Sequence, residues 1–189
     1  VGTHGMAHAL GSVLDAADRM RHVERLRFIL VGSGAERTKL MTEARQRRLD
    51  NVIFMPPQPK DDIAAVWSLC DVALVHLRNS PVFREVIPSK MFEAMGMGLP
   101  LMVASPDGEA SRILAADQAG IWVPAEDPDA LAEATMRLFE DEGLRRGYGE
   151  RSLAAAPLHT RERQARQMIE VLDLAAQGRG GEVSALHPS

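Results

Sequence analysis

Val72-Ala-Leu-Val-His76, then Glu85-Val-Ile-Pro-Ser-Lys-Met-Phe-Glu93-Ala-Met-Gly-Met-Gly98, then Pro100-Leu-Met-Val-Ala104: this passage decides the fold. The outer pieces are short, nearly unbroken apolar runs, as in strands buried on both faces of a parallel sheet. The piece between them reads as a helix. Pro88 and Ser89 mark its start, and Gly96, Gly98 and Pro100 stop it. The same alternation extends outward. Leu26–Val31, Val52–Met55 and Gly120–Val123 are further strand candidates. Helical patterns fall near 6–22, 36–48, 61–69, 88–96, 109–116 and 128–140. In the first of them Leu10, Val13, Leu14 and Ala17 recur at helical spacing. This order predicts an α/β fold, a Rossmann-like doubly wound parallel sheet with right-handed crossovers. Beyond 140 the pattern is purely helical, at 142–155 and 160–176, a helical C-terminal extension.

Ligands of open parallel sheets bind beyond the carboxyl ends of the strands. Glu85 and Glu93 follow the 72–76 strand, so both belong to that rim. Carboxylates accept hydrogen bonds from sugar and ribose hydroxyls, and a helix N-terminus offers free N–H groups to phosphate. Together these features suit a nucleotide-sugar diphosphate. The competing reading makes both glutamates exposed residues flanking a helix start, where acidic side chains are electrostatically favoured.

At 189 residues the chain fits one domain, expected over 1–177, with a polar, glycine-rich tail over 178–189 expected to be disordered. A hydrophobic content of 46% allows a sizeable core, and a net charge of −4 argues against nucleic-acid binding driven by phosphate neutralisation. Cys70 is the single cysteine, which excludes an intramolecular disulfide and a cysteine-rich metal site. Its apolar context predicts a buried, inert thiol. No apolar run approaches a membrane span and no signal peptide is visible, so a cytoplasmic location is expected. Val1-Gly-Thr-His-Gly5 reads as the end of a strand entering a glycine turn. The body of that strand would precede Val1, so a larger parent protein is expected. No internal repeat is apparent.

Glu85 through Glu93, with its Pro-Ser-Lys centre and Glu-Ala-Met-Gly-Met-Gly-Leu-Pro continuation, resembles the Glu-x7-Glu motif of retaining GT-B glycosyltransferases of family four. Further segments follow in the order of that family. They are Val31-Gly-Ser-Gly-Ala-Glu36, Leu49-Asp-Asn-Val-Ile-Phe54, Cys70-Asp-Val-Ala-Leu-Val75, Gly108-Glu109 and Gly120-Ile-Trp-Val-Pro124. The resemblance covers about 1–175, the C-terminal, donor-binding half of such enzymes. It implies that Glu85 binds hydroxyls of the donor sugar and acts at the catalytic centre, and that Glu93 binds the ribose. Main-chain N–H groups around Val86 and Ile87, with Ser89 at the helix start, would face the pyrophosphate. Gly2, Thr3, His4 and Gly5 would form the loop opposite. The family commonly carries an arginine and a lysine near this first helix, and residues 1–18 contain neither. Lys90 is the best substitute, with Arg78 and Arg84 behind it. The resemblance implies a UDP-linked donor; with one cysteine and scattered histidines no metal site is expected, and no other cofactor. It also implies a glycan or lipid-linked acceptor, held by an absent N-terminal domain through which the enzyme would meet the inner face of the plasma membrane.

Other motifs carry plainer readings. Gly32 and Gly34 form a Gly-x-Gly turn; Gly34 is a donor-contact candidate, although strand-to-helix turns often need glycine anyway. Phe54-Met-Pro-Pro57 either flanks the base or simply ends a strand. Asp127-Pro-Asp129 has a metal-binding form but opens a helix, so capping is expected. His76 is expected as a satisfied rim residue, and Arg161, Arg163 and Arg166 as a solvated helix face. Two other function classes fit part of the pattern. One is a sugar-nucleotide epimerase of the same architecture; the other is an α/β interaction module whose glutamates bind nothing.

Overall fold

The computed structural model describes residues 1–177. The tail expected over 178–189 lies outside the described residues. Five parallel strands form the centre: β1 (Phe28–Val31), β2 (Val52–Met55), β3 (Ala73–His76), β4 (Leu101–Ser105) and β5 (Gly120–Pro124). The α-helices are α1 (Gly11–Arg19), α2 (Arg37–Gln46), α3 (Ile63–Trp67), α4 (Ser89–Gly96), α5 (Glu109–Asp117), α6 (Pro128–Glu140), α7 (Glu142–Ala155) and α8 (Arg161–Ala176).

β1 pairs with β2 from Phe28↔Val52 to Val31↔Met55. β3, β4 and β5 form a second ladder, with Ala73↔Leu101 and Leu101↔Gly120 opening its two registers. The extended N-terminal residues tie the two ladders together. Gly2 N–H donates to the Val31 carbonyl (2.9 Å) and His4 N–H to the Ser33 carbonyl (2.7 Å), prolonging the β1 edge. Val1 packs into the core beneath β3 and β4, and the Arg78 N–H, just past β3, donates to the Ala7 carbonyl (2.9 Å). The strand order therefore reverses across residues 1–8. A crevice at such a switch point is where doubly wound sheets take ligands.

β4 explains the unbroken apolar runs. All five of its residues are buried. Leu101 and Val103 enter one core cluster, with Trp67, Val75, Met91, Met95 and Leu114. Met102 and Ala104 enter the other, with Val13, Leu14, Leu30, Leu40, Leu131 and Leu138. Successive strand side chains point to opposite faces, so a strand covered by helices on both sides has no polar position to spare. Each large side chain fully buried this way contributes about 1.5–3 kcal/mol.

Several boundaries differ from expectation. The first helical pattern is not one helix: a 3-10 turn at Met6–His8 ends at Ala9, whose left-handed backbone (φ 41°) breaks the run before α1 begins. The 61–69 pattern is a 3-10 turn at Lys60–Asp62 followed by the five-residue α3. A 3-10 turn at Pro81–Glu85 was not legible, because Pro81 starts a helical turn that is too short to show periodicity. Asp127 caps α6 as expected, its carboxylate accepting from Asp129 N–H (3.1 Å) and Ala130 N–H (2.9 Å). Cys70 is half-buried rather than buried, and desolvation pushes its thiol pKa up, which fits an inert role. Arg161, Arg163 and Arg166 are exposed on α8, which buries none of its residues.

Candidate donor site at the sheet rim

Two glycine-bearing loops meet backbone to backbone at the rim. A side chain added at Gly32 would place its Cβ 1.7 Å from the Gly2 carbonyl oxygen, and one at Gly34 would place it 2.5 Å from the His4 carbonyl oxygen. Both glycines also have φ values (144° and 150°) that other residues rarely adopt. The Gly-x-Gly turn after β1 thus serves close packing against Gly2–Gly5. Gly34 supports that loop from behind. His4 is buried, its ring edge-on to Phe54 with centroids 6.3 Å apart, and its Nδ1 has no partner among the described residues. Thr3 is exposed and Gly5 half-buried.

Lys90 stands in the first turn of α4 and reaches this loop: its Nζ lies 3.6 Å from where a Cβ on Gly2 would be. It is half-buried, yet among the described residues it makes no hydrogen bond or ion pair. Burial lowers its ammonium pKa, and the charge of Glu93 one turn on opposes that shift. A lysine held in this state costs stability unless an anion meets it. The helix beneath adds to the attraction. α4 begins after Pro88 with no side-chain cap and no acidic residue in its first turn, so the N–H groups near Ser89 remain open. Of the main-chain groups expected to face a pyrophosphate, Val86 N–H is turned inward, donating to the Phe83 carbonyl at 3.4 Å; Ile87 is exposed.

A histidine pair closes the floor, and the sequence reading missed half of it. His8 Nδ1–H donates to the His76 carbonyl (3.0 Å) while His76 Nδ1–H donates to the His8 carbonyl (2.7 Å). A carbonyl only accepts, so both neutral rings carry their proton on Nδ1. His76 was expected to be satisfied, but its buried Nε2 has no partner among the described residues. Burial drives its pKa down to about 4, although the bond to His8 and the charge of Glu126 act the other way. Burial, then Lys90, lowers His8 as well. No local pattern marked His8, because its partner is 68 positions away.

Glu85 ends the 3-10 turn after β3, and Glu93 lies in α4. Both carboxylates are exposed and, among the described residues, make no hydrogen bond or ion pair, which leaves both able to accept hydroxyls. Glu93 is close enough to Lys90 for its charge to be felt there. Arg78 and Arg84 are exposed on the same post-β3 loop. Among the described residues no group of three His, Cys, Asp or Glu side chains is arranged to hold a metal ion. None of the described helices is long and apolar enough to cross a membrane.

Comparison with known proteins agrees with this architecture. The model of the family "Glycosyl transferases group 1" matches residues 8–154. The O-antigen chain mannosyltransferase C of Escherichia coli is 30% identical over 154 residues, spanning 80% of this chain and 39% of that protein. The chain thus covers about two fifths of the length of that relative. The structure of the C-terminal domain of a group 1 glycosyltransferase, LpcC of Francisella tularensis, superposes with a TM-score of 0.68 at 17% identity, covering 84% of each chain. Anabaena Alr3699/HepE, solved with UDP and glucose, gives a TM-score of 0.71 at 19% identity over 91% of this chain and 48% of its own. With its parallel strands, reversed strand order and matched segments, the chain belongs to the group 1 glycosyltransferases and has the fold of a GT-B C-terminal domain.

Proposed function

We propose that the chain is the donor-binding half of a retaining glycosyltransferase that takes a UDP-linked sugar and passes it to a glycan or lipid-linked acceptor in surface-polysaccharide assembly. The observation that carries this reading is Lys90, half-buried and without a counter-ion among the described residues, beside the Gly2 loop and the uncapped start of α4. Relatives point the same way: one is named for mannosyl transfer to O-antigen, and a structural neighbour was solved with UDP and glucose.

In this reading the Lys90 ammonium and the open N–H groups of α4 take up charge that grows on the diphosphate as the sugar departs. Fixed donors of this kind are effective because they need no reorganisation during the reaction. Glu93 accepts the ribose hydroxyls and Glu85 those of the sugar. In this reading a lysine and a helix N-terminus offset part of the diphosphate charge in place of a metal. The acceptor, and any assisting base, would come from outside these residues, and the encounter would take place at the cytoplasmic membrane face.

Calorimetric titration with UDP tests the reading. These 189 residues are expected to bind UDP and not to turn over a UDP-sugar. Glu93→Ala is expected to weaken UDP roughly 10- to 100-fold, the equivalent of one lost charge-assisted hydrogen bond or slightly more. Unaltered UDP affinity in that variant would exclude the ribose role.

A further inference from the structure

The loop that carries Glu85 is braced from two neighbouring strands. It is anchored first at Arg78, whose N–H donates to the Ala7 carbonyl. Next, the Asn79 N–H donates to Glu126 Oε2 at 2.7 Å. Finally, the backbone of Arg84 lies against Gly108, where an added Cβ would stand 2.1 Å from the Arg84 carbonyl oxygen and 2.7 Å from its Cα. Glu85 is the next residue.

Glu126 follows β5, whereas Asn79 follows β3, and β4 runs between them. Strands are about 4.8 Å apart, so the bond bridges roughly 10 Å of sheet. A glutamate side chain covers only part of that span, so the two loops must lean toward each other over the end of β4 for the bond to form, and aspartate is one methylene shorter. The backbone of Glu126 is also unusual. Its φ of 57° lies in the left-handed region, which favours glycine or asparagine over glutamate. Local backbone preference therefore does not account for glutamate here, and its carboxylate has a partner that does.

We propose that Glu126 is a positioning residue: with Gly108 it fixes the 78–85 loop so that Glu85 meets the donor sugar. This rests on the donor-binding reading above. Gly108 has an extended φ of 177°, so its requirement is space alone. Its N–H donates to Ser111 Oγ (2.9 Å) at the start of α5, which holds that contact point rigid. The braces act on the sugar end of the site, while Lys90 and α4 hold the phosphate end.

The test compares affinity for UDP with affinity for UDP-glucose and UDP-N-acetylglucosamine, by calorimetry, in the parent chain and in E126N, E126D, E126Q and G108A. Asn79 amide exchange is followed by NMR in the same proteins. The gain in affinity contributed by the sugar is expected to fall about three- to tenfold in E126N, E126D and G108A, as when an exposed charge-assisted anchor is lost. UDP affinity itself should stay unchanged. E126Q should retain most of the gain, because its amide oxygen still accepts the Asn79 N–H. E126N should also keep its thermal midpoint, since asparagine tolerates the left-handed backbone, while Asn79 exchange quickens. A full sugar gain in E126N would overturn the positioning role and leave the donor-binding reading standing. Loss of UDP affinity in E126N would equally overturn it, by showing a general structural role. A parent chain that binds UDP with no sugar gain removes the contact that Glu126 is proposed to position. A parent chain that binds none of the three nucleotides overturns both.

Discussion

Replacing Lys90 with methionine should move stability and ligand affinity in opposite directions. The side chain is half-buried, close to Gly2, and has no counter-ion among the described residues. Burial lowers its pKa from the ordinary 10.5, with only partial opposition from Glu93. Between that depressed value and 10.5 the folded chain binds fewer protons than the unfolded chain, so Lys90 makes stability rise with pH across that window. Below that window the charged form is held at a cost to the fold. Methionine keeps the aliphatic stem and removes the charge, so the thermal midpoint should hold or rise. Affinity for UDP should fall. A charge-assisted contact to phosphate is worth about 1.5–3 kcal/mol, which corresponds to roughly 10- to 150-fold. Calorimetry gives the affinity and differential scanning fluorimetry the midpoint. The parent's affinity should also weaken more steeply with added salt than the variant's, because an ionic contact is screened. A variant with a lowered midpoint and unchanged UDP affinity would refute the reasoning, since Lys90 would then be a structural residue and not an anion site.

Two further outcomes follow from the same geometry. His76 is buried and neutral with its pKa near 4, so the unfolded chain takes up a proton below about 6.5 that the folded chain refuses. Stability should therefore fall as pH drops from 6.5 to 4, by up to roughly 3 kcal/mol at the lower end, and His76→Gln should flatten that part of a urea-unfolding series. Asp127→Ala should cost about 1 kcal/mol in denaturant unfolding by uncapping α6, with no change in UDP affinity; a lost nucleotide response would assign that carboxylate a role beyond the cap.

Much of the architecture was legible because local rules decided it. Every strand segment read from apolar runs appears within a residue or two, since a strand covered on both faces leaves a continuous hydrophobic signature. The cap at Asp127 was legible for a similar reason: Asp-Pro-Asp satisfies its own neighbours' N–H groups. The misplacements have equally physical causes. The break at Ala9 follows a turn pinned to the end of β3 by the His8–His76 bonds and the Arg78–Ala7 bond, which no nearby residue announces. The turn at Pro81–Glu85 is held by contacts from beyond β4 and β5.

The site divides along the same line. The amino-acid order alone determined that Glu85, Lys90 and Glu93 follow a buried strand and belong to its carboxyl rim, because helix start signals and strand runs are short-range properties. Folding alone decided that Lys90 lacks a counter-ion among the described residues, that His8 and His76 lock each other's tautomers, and that Glu126 braces the loop before Glu85. Those facts depend on groups brought together across 47 and 68 positions of chain. Burial and pairing at such separations are set by how the elements pack, and no local pattern encodes them.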